Sequence, residues 1–168
     1  MEKIIQILNE MEKSGIVQRY ALGGAVALLF YTEPVLTYDL DVFIAVPPPT
    51  AGLITLTPIY EHLKALGCEE QQEHLIVAGT PVQFIPAYNA LIEEALREAV
   101  EKSFHLTKVR VLGLEYLLAI MLQTGRPKDQ ARLGQLLYEV QPDATLFAGI
   151  LERHGLTQRW KAFLSRLE

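Results

Sequence analysis

Residues 37–44 read Thr-Tyr-Asp-Leu-Asp-Val-Phe-Ile, with two acids one residue apart inside an apolar run and a paired glycine, Gly23-Gly24, upstream. Side chains alternate between the faces of a strand, so Asp39 and Asp41 project from one side while Leu40, Val42 and Ile44 take the other. Such a strand buries its apolar face and opens its acidic face onto a cleft or onto solvent. Two carboxylates held as next-but-one neighbours repel each other unless a cation lies between them. A hard divalent ion such as Mg2+ takes a few carboxylate oxygens together with phosphates and water. The double glycine stands before a small apolar run over residues 25–30, which reads as a helix. A glycine turn at the mouth of a helix suits close approach of a phosphate to backbone N–H groups. Together these residues point to metal-dependent handling of a nucleotide.

Around this segment the chain reads as an alternation of strands and helices. Residues 2–13 carry Ile4, Ile5, Ile7, Leu8 and Met11 at helical spacing, and Gly15 ends the element. Residues 20–22 form a short apolar strand leading into Gly23, and residues 25–31 suit a helix packed tightly on a sheet. The acidic strand runs to residue 46 and is stopped by Pro47-Pro48-Pro49. Thr57-Pro58 places a cap and a first-turn proline before a helix over residues 59–66, closed by Gly67. Residues 73–78 and 81–85 read as a hairpin joined at Gly79-Thr80, residues 88–100 as an amphipathic helix and residues 108–112 as a last strand. From Gly113 onward the pattern is helical, with breaks near Gly125-Arg126-Pro127, Pro142 and Gly155. Early alternation followed by late helices predicts an α+β fold with an α/β-like core over residues 1–112 and a helical part over residues 113–168.

Half of the 168 residues are hydrophobic, enough for a real core. No apolar run is long enough to cross a bilayer, and the N-terminal segment reads as an amphipathic helix rather than a signal peptide. Cys68 is the single cysteine, which excludes an internal disulfide and a Cys-based zinc site. A cytoplasmic protein is the simplest reading. The net charge of −5 divides unevenly, with 5 basic and 14 acidic side chains in residues 1–101 and 10 basic and 6 acidic in residues 102–168. A metal-binding half followed by a phosphate-attracting half gives this split. So does the accident of Glu-rich helices lying early, and that plainer explanation is preferred, because the later excess is far from a strong nucleic-acid footprint.

The order Gly-Gly, short helix, then Thr37-x-Asp39-Leu40-Asp41 resembles the nucleotidyltransferase superfamily, in particular its minimal (MNT) and AbiEii-like branches, over roughly residues 18–135. The resemblance implies a mixed, twisted sheet flanked by helices, with a helical bundle behind it. It implies Mg2+ held by Asp39 and Asp41, phosphates cradled by Gly23 and Gly24, and Thr37 bracing the strand or touching a phosphate. A third metal-binding carboxylate is expected on a neighbouring strand. The segment Pro81-Val82-Gln83-Phe84-Ile85 stands in that place and carries Gln83, which offers a carbonyl oxygen but neither charge nor basicity. Glu73 is a poor substitute because it falls at the far end of its strand.

Further along, residues 115–121 and the run Arg126-Pro127-Lys128-Asp129 are similar to later AbiEii-like motifs. Arg126 and Lys128 are candidates for binding triphosphate oxygens, Arg as a fork and Lys as a point charge. An ordinary Gly-x-Pro turn with solvated charges and a helix-capping carboxylate explains them equally well. Three positions depart from the pattern: Val35 where an arginine is usual, Met121 where a lysine is usual, and Arg132 where an acid is usual. The four histidines show no ligand spacing, and Tyr88 and Trp160 suit core or interface positions.

Two functions follow as expectations. The first is transfer of a nucleoside monophosphate from a nucleoside triphosphate (NTP) to an acceptor hydroxyl of RNA, protein or a small molecule, with a possible place in a toxin–antitoxin system. The second is a catalytically impaired binding or partner module on the same fold, to which Gln83, Val35 and Met121 point. A protein partner fits either. The apolar C-terminal helices suit packing within the chain or across a two-fold axis equally well.

Overall fold

The structure is a computed structural model that describes residues 1–32, 37–47 and 55–167. Seven strands form one mixed sheet: β1 (Arg19–Leu22), β2 (Leu40–Ala45), β3 (Glu69–Gln71), β4 (His74–Val77), β5 (Thr80–Pro86), β6 (Val100–Phe104) and β7 (Thr107–Val111). Their spatial order is β3-β4-β5-β2-β1-β7-β6. Among the described residues eight helices flank the sheet: α1 (Glu2–Lys13), α2 (Gly24–Leu28), α3 (Thr57–Ala65), α4 (Ala90–Arg97), α5 (Leu114–Thr124), α6 (Pro127–Glu139), α7 (Ala144–Arg153) and α8 (Thr157–Leu164). The fold is α+β, with strands β2 and β5 parallel at the centre and antiparallel hairpins towards both edges.

The central strands follow from their pattern. Leu40, Val42 and Ile44 are fully buried on the core face of β2, which pairs antiparallel with β1 and parallel with β5. In that register Asp41 stands beside Gln83. Helix α1 packs Ile4, Ile5, Leu8 and Met11 into the core, as its spacing requires. Helix α5 is apolar nearly all round because it is central, packing against α2, α4, α6, α7 and α8.

Several boundaries differ from the sequence-based expectation. Residues 88–100 are not one helix: Asn89 caps α4 by accepting from the Ile92 N–H at 2.9 Å, and Val100 already belongs to β6. The helix expected over residues 25–31 is the five-residue α2, tied down where the Tyr31 hydroxyl donates to the Leu112 carbonyl at 3.0 Å. Thr57 is not a cap but the first residue of α3, following Leu56, and its N–H donates to Thr55 Oγ1. The β4–β5 turn lies at Ala78-Gly79, both with positive φ, one residue earlier than expected.

The late helices are bound to the sheet side by one polar knot. Glu94 on α4 accepts from Tyr116 of α5 (2.9 Å) and from Arg153 of α7 (2.5 Å), and pairs with His154 (2.6 Å). These donors, Arg153 foremost, hold the Glu94 carboxyl down at about 2, with burial opposing them. Trp160 stacks on Phe163 and meets Phe147 edge to face within the α7–α8 pair, a packing role. Among the described residues no helix is long and apolar enough to cross a membrane.

Candidate active site

The acidic face of β2 opens into a cavity of about 580 Å3, lined by residues from three parts of the chain. Asp39, just ahead of β2, and Asp41 within it form one wall with Gln83 of β5. Leu117, Ile120, Met121 and Thr124 line a second wall, at the i, i+3, i+4, i+7 spacing of one face of α5. Arg126, Lys128, Asp129 and Arg132 contribute the third.

Each acid is held differently. Thr37 Oγ1 donates to Asp39 Oδ1 at 3.0 Å and lies 3.1 Å from the Asp39 carbonyl, fixing that side chain. His74 Nε2 stands 4.0 Å from Asp39 Oδ2. The Asp41 carboxylate has no hydrogen-bond or ion-pair partner among the described residues. Burial, and secondarily the charge of Asp39, push its carboxyl above the usual range, while Lys128, Arg126 and His74 pull it back. Arg126 and Lys128, on the third wall of the same cavity, therefore reach the Asp41 carboxylate electrostatically.

The two glycines do different work. Gly24 lines the cavity with φ +55, and a Cβ there would collide with Asp41 Oδ2. Gly23 is not in the lining. Its N–H donates to the Asp41 carbonyl at 2.9 Å, and a Cβ would collide with the Phe43 ring. Its bareness lets β1 close on β2 and its N–H is engaged there, so the open backbone surface expected of both glycines belongs to Gly24 alone.

The third wall begins where α5 stops. Gly125 takes the left-handed conformation at φ +63 that ends α5, and Pro127 starts α6. Between them Arg126 donates to Asp129 through Nε (2.6 Å) and Nη2 (3.2 Å). Thr124 Oγ1 donates to the same carboxylate at 2.7 Å. Asp129 is buried, and although burial opposes ionisation, Arg126 and Thr124 leave its carboxyl below the ordinary range. It anchors Arg126 at the cavity edge. Lys128 is exposed and has no ion-pair partner among the described residues.

Other expectations resolve by position. Met121 lies in the apolar wall, and Val35 lies outside the described residues. Glu73 is exposed and does not line the cavity. Tyr88 lies outside the core: it is 57% exposed at the cavity mouth, as is Tyr38 at 80%. The approach of His74 to Asp39 was missed from sequence, because it arises from β4 pairing with β5 and β5 with β2.

The donor set fits one divalent ion. Two carboxylates and an amide carbonyl on one wall supply hard oxygens, and the Asp41 carboxyl, unpartnered and raised in pKa, is a group that a cation would relieve. Among the described residues no third acidic, His or Cys ligand completes a larger cluster.

No protein-family model matches the sequence, and no curated protein matches it. Among solved structures, an antigenic nucleotidyltransferase-like protein from Paracoccidioides brasiliensis superposes over 99% of this chain and 91% of its own, with 17% identity and a TM-score of 0.51. ANT(2")-Ia in complex with adenylyl-2"-tobramycin matches over 98% and 97% with 14% identity and a TM-score of 0.49. A candidate nucleotidyltransferase from Thermotoga maritima matches over 80% and 91% with 17% identity and a TM-score of 0.48. The fold is therefore nucleotidyltransferase-like.

Proposed function

We propose that this chain binds an NTP with Mg2+ in the cavity and transfers its nucleoside monophosphate to an acceptor hydroxyl. The observation that carries this reading is the facing of two unlike walls across one cavity: Asp39 and Asp41 on the sheet, Arg126 and Lys128 at the start of α6. A metal-bound triphosphate presents the complementary pattern, a divalent cation on one side and phosphate oxygens on the other.

In this reading Asp39, Asp41 and the Gln83 carbonyl would hold the ion, with Thr37 keeping Asp39 in place. When bound, magnesium neutralises phosphate charge and orients the triphosphate. Arg126, locked side-on by Asp129, and exposed Lys128 would bind phosphate oxygens and stabilise charge on the departing pyrophosphate. The acceptor oxygen attacks the α-phosphorus, the bond to the bridging oxygen breaks, pyrophosphate leaves, and the acceptor proton passes to water. Gly24 keeps the backbone clear of Asp41. The Asp39/Asp41 pair with the Arg126-Lys128-Asp129 run supports a place near the minimal and AbiEii-like branches. A toxin–antitoxin role and a protein partner would follow from that place.

Gln83 favours a second reading. With an amide where a third carboxylate is expected, the wall lacks a base for the acceptor hydroxyl, as suits a nucleotide-binding module that no longer transfers. Incubation with α-labelled NTPs, Mg2+ and pooled RNA, protein and small-molecule acceptors separates the two. Transfer of label that Asp39→Asn abolishes supports the enzyme. Metal-dependent nucleotide binding without transfer supports the module, and the absence of both overturns the proposal.

A further inference from the structure

Arg132 is the one position in the third wall where the chain carries a cation in place of an expected acid, and its surroundings give it a use. It lines the cavity, is half-buried, and has neither a hydrogen-bond nor an ion-pair partner among the described residues. It lies four residues after Lys128 on α6, so the two project from the same helix face. Like charges at that spacing weaken a helix rather than support it. A cation that lines a cavity beside a second cation, with no counter-charge in reach among the described residues, adds nothing to the fold that an uncharged side chain of the same length would not. Asp129 does not relieve it, because both its oxygens are engaged by Arg126 and Thr124. The cavity thus holds a second like-charged pair, Lys128 and Arg132, mirroring Asp39 and Asp41. Each pair offers two like charges to a ligand of opposite sign.

We infer that Lys128 and Arg132 form an anion subsite for the terminal phosphates of the bound nucleotide, so that the cavity selects triphosphates over monophosphates. The inference rests on the nucleotide-binding reading above and adds to it a residue and a selectivity. Arg126 is already held by Asp129 and presents only its free edge. Lys128 and Arg132 present all their donors. A guanidinium can bridge two phosphate oxygens, which a single phosphate farther along the cavity cannot exploit.

The test is calorimetric titration of the full chain with inorganic tripolyphosphate, a nucleoside monophosphate and an NTP, each with Mg2+. The wild type should bind tripolyphosphate and NTP more tightly than the monophosphate. Arg132→Gln should weaken both polyphosphates at least about tenfold, as expected when a charged hydrogen-bond donor is lost, and leave the monophosphate unchanged. Arg132→Lys, which keeps the charge but loses the fork, should fall between, and melting curves check that each variant folds. Unchanged tripolyphosphate binding by a folded Arg132→Gln overturns the inference while leaving the nucleotide reading intact. Equal weakening of monophosphate and tripolyphosphate also overturns it, as does wild-type binding of NTP without tripolyphosphate. A wild type that binds none of the three refutes both.

Discussion

Asp41→Asn should stabilise the metal-free protein while destroying its capacity to respond to magnesium. Two strand rises separate Asp39 from Asp41, about 6.7 Å. At that distance two carboxylates repel by about 0.6 kcal/mol in a water-like dielectric and about 2.5 kcal/mol at an effective value near 20. Burial of Asp41 adds to the penalty, and the distant cations offset part of it. The amide keeps the shape that fits against Gly24 and removes the charge. For a chain of this size each kcal/mol moves the melting temperature by about 2–4 °C. The variant should therefore melt a few degrees above the wild type near neutral pH in chelator. The sign with pH follows from the raised carboxyl. Its unfavourable contribution is complete above the folded-state pKa and disappears as pH falls from there towards 3.8, where the unfolded chain protonates as well. The gap between variant and wild type should close over that window. Added Mg2+ should raise the wild-type melting temperature and leave the variant unmoved. A variant that melts at or below the wild type in chelator would refute the claim that this carboxylate is held against its own electrostatic preference.

Other substitutions test neighbouring parts of the cavity. Gln83→Glu places a third carboxylate beside Asp41 and should lower the metal-free melting temperature while tightening Mg2+ binding by calorimetry; no change in either would mean that this side chain does not share the ion site. Gly24→Ala meets both a positive φ, worth about 1–2 kcal/mol, and a collision with Asp41, so it should destabilise by at least that amount and abolish magnesium-induced stabilisation. Glu94, held at about 2, stabilises fully above its ordinary 4.5 and loses that contribution as pH falls from 4.5 towards 2. Arg153→Ala should flatten the melting-temperature profile across that interval, and parallel profiles would show that the pair adds nothing.

What could be read from the chain alone depended on how local the cause was. The facing of Asp39 and Asp41 is a property of one strand's alternation and of the apolar residues between them. The Gly125 break and the Arg126–Lys128 start of α6 follow from a glycine that ends one helix and a proline that begins the next. By contrast β3 and β6 carry no alternation to detect. All three residues of β3 are exposed, and β6 is polar along most of its length, because an edge strand is satisfied by one neighbour and water. Gly23 was legible as a special residue but not for its reason, which lies in Phe43 and the Asp41 carbonyl on another strand. The cavity-facing placement of Arg132 and Tyr88, and the approach of His74 to Asp39, were hidden for the same cause: they depend on how helices and strands distant in sequence come to rest against one another.

The acidic wall is complete once β5 has joined β2, whereas the basic wall waits for α6, more than forty residues later in the chain (Gln83 against Arg126). A nascent chain leaving the ribosome would thus expose its repelling carboxylates before any counter-charge exists to face them. Only when α6 packs against α5 does the cleft acquire both polarities. Ligand capture is in this way deferred until the late helices have docked, and a polypeptide cut short before them would keep the acids without the grip.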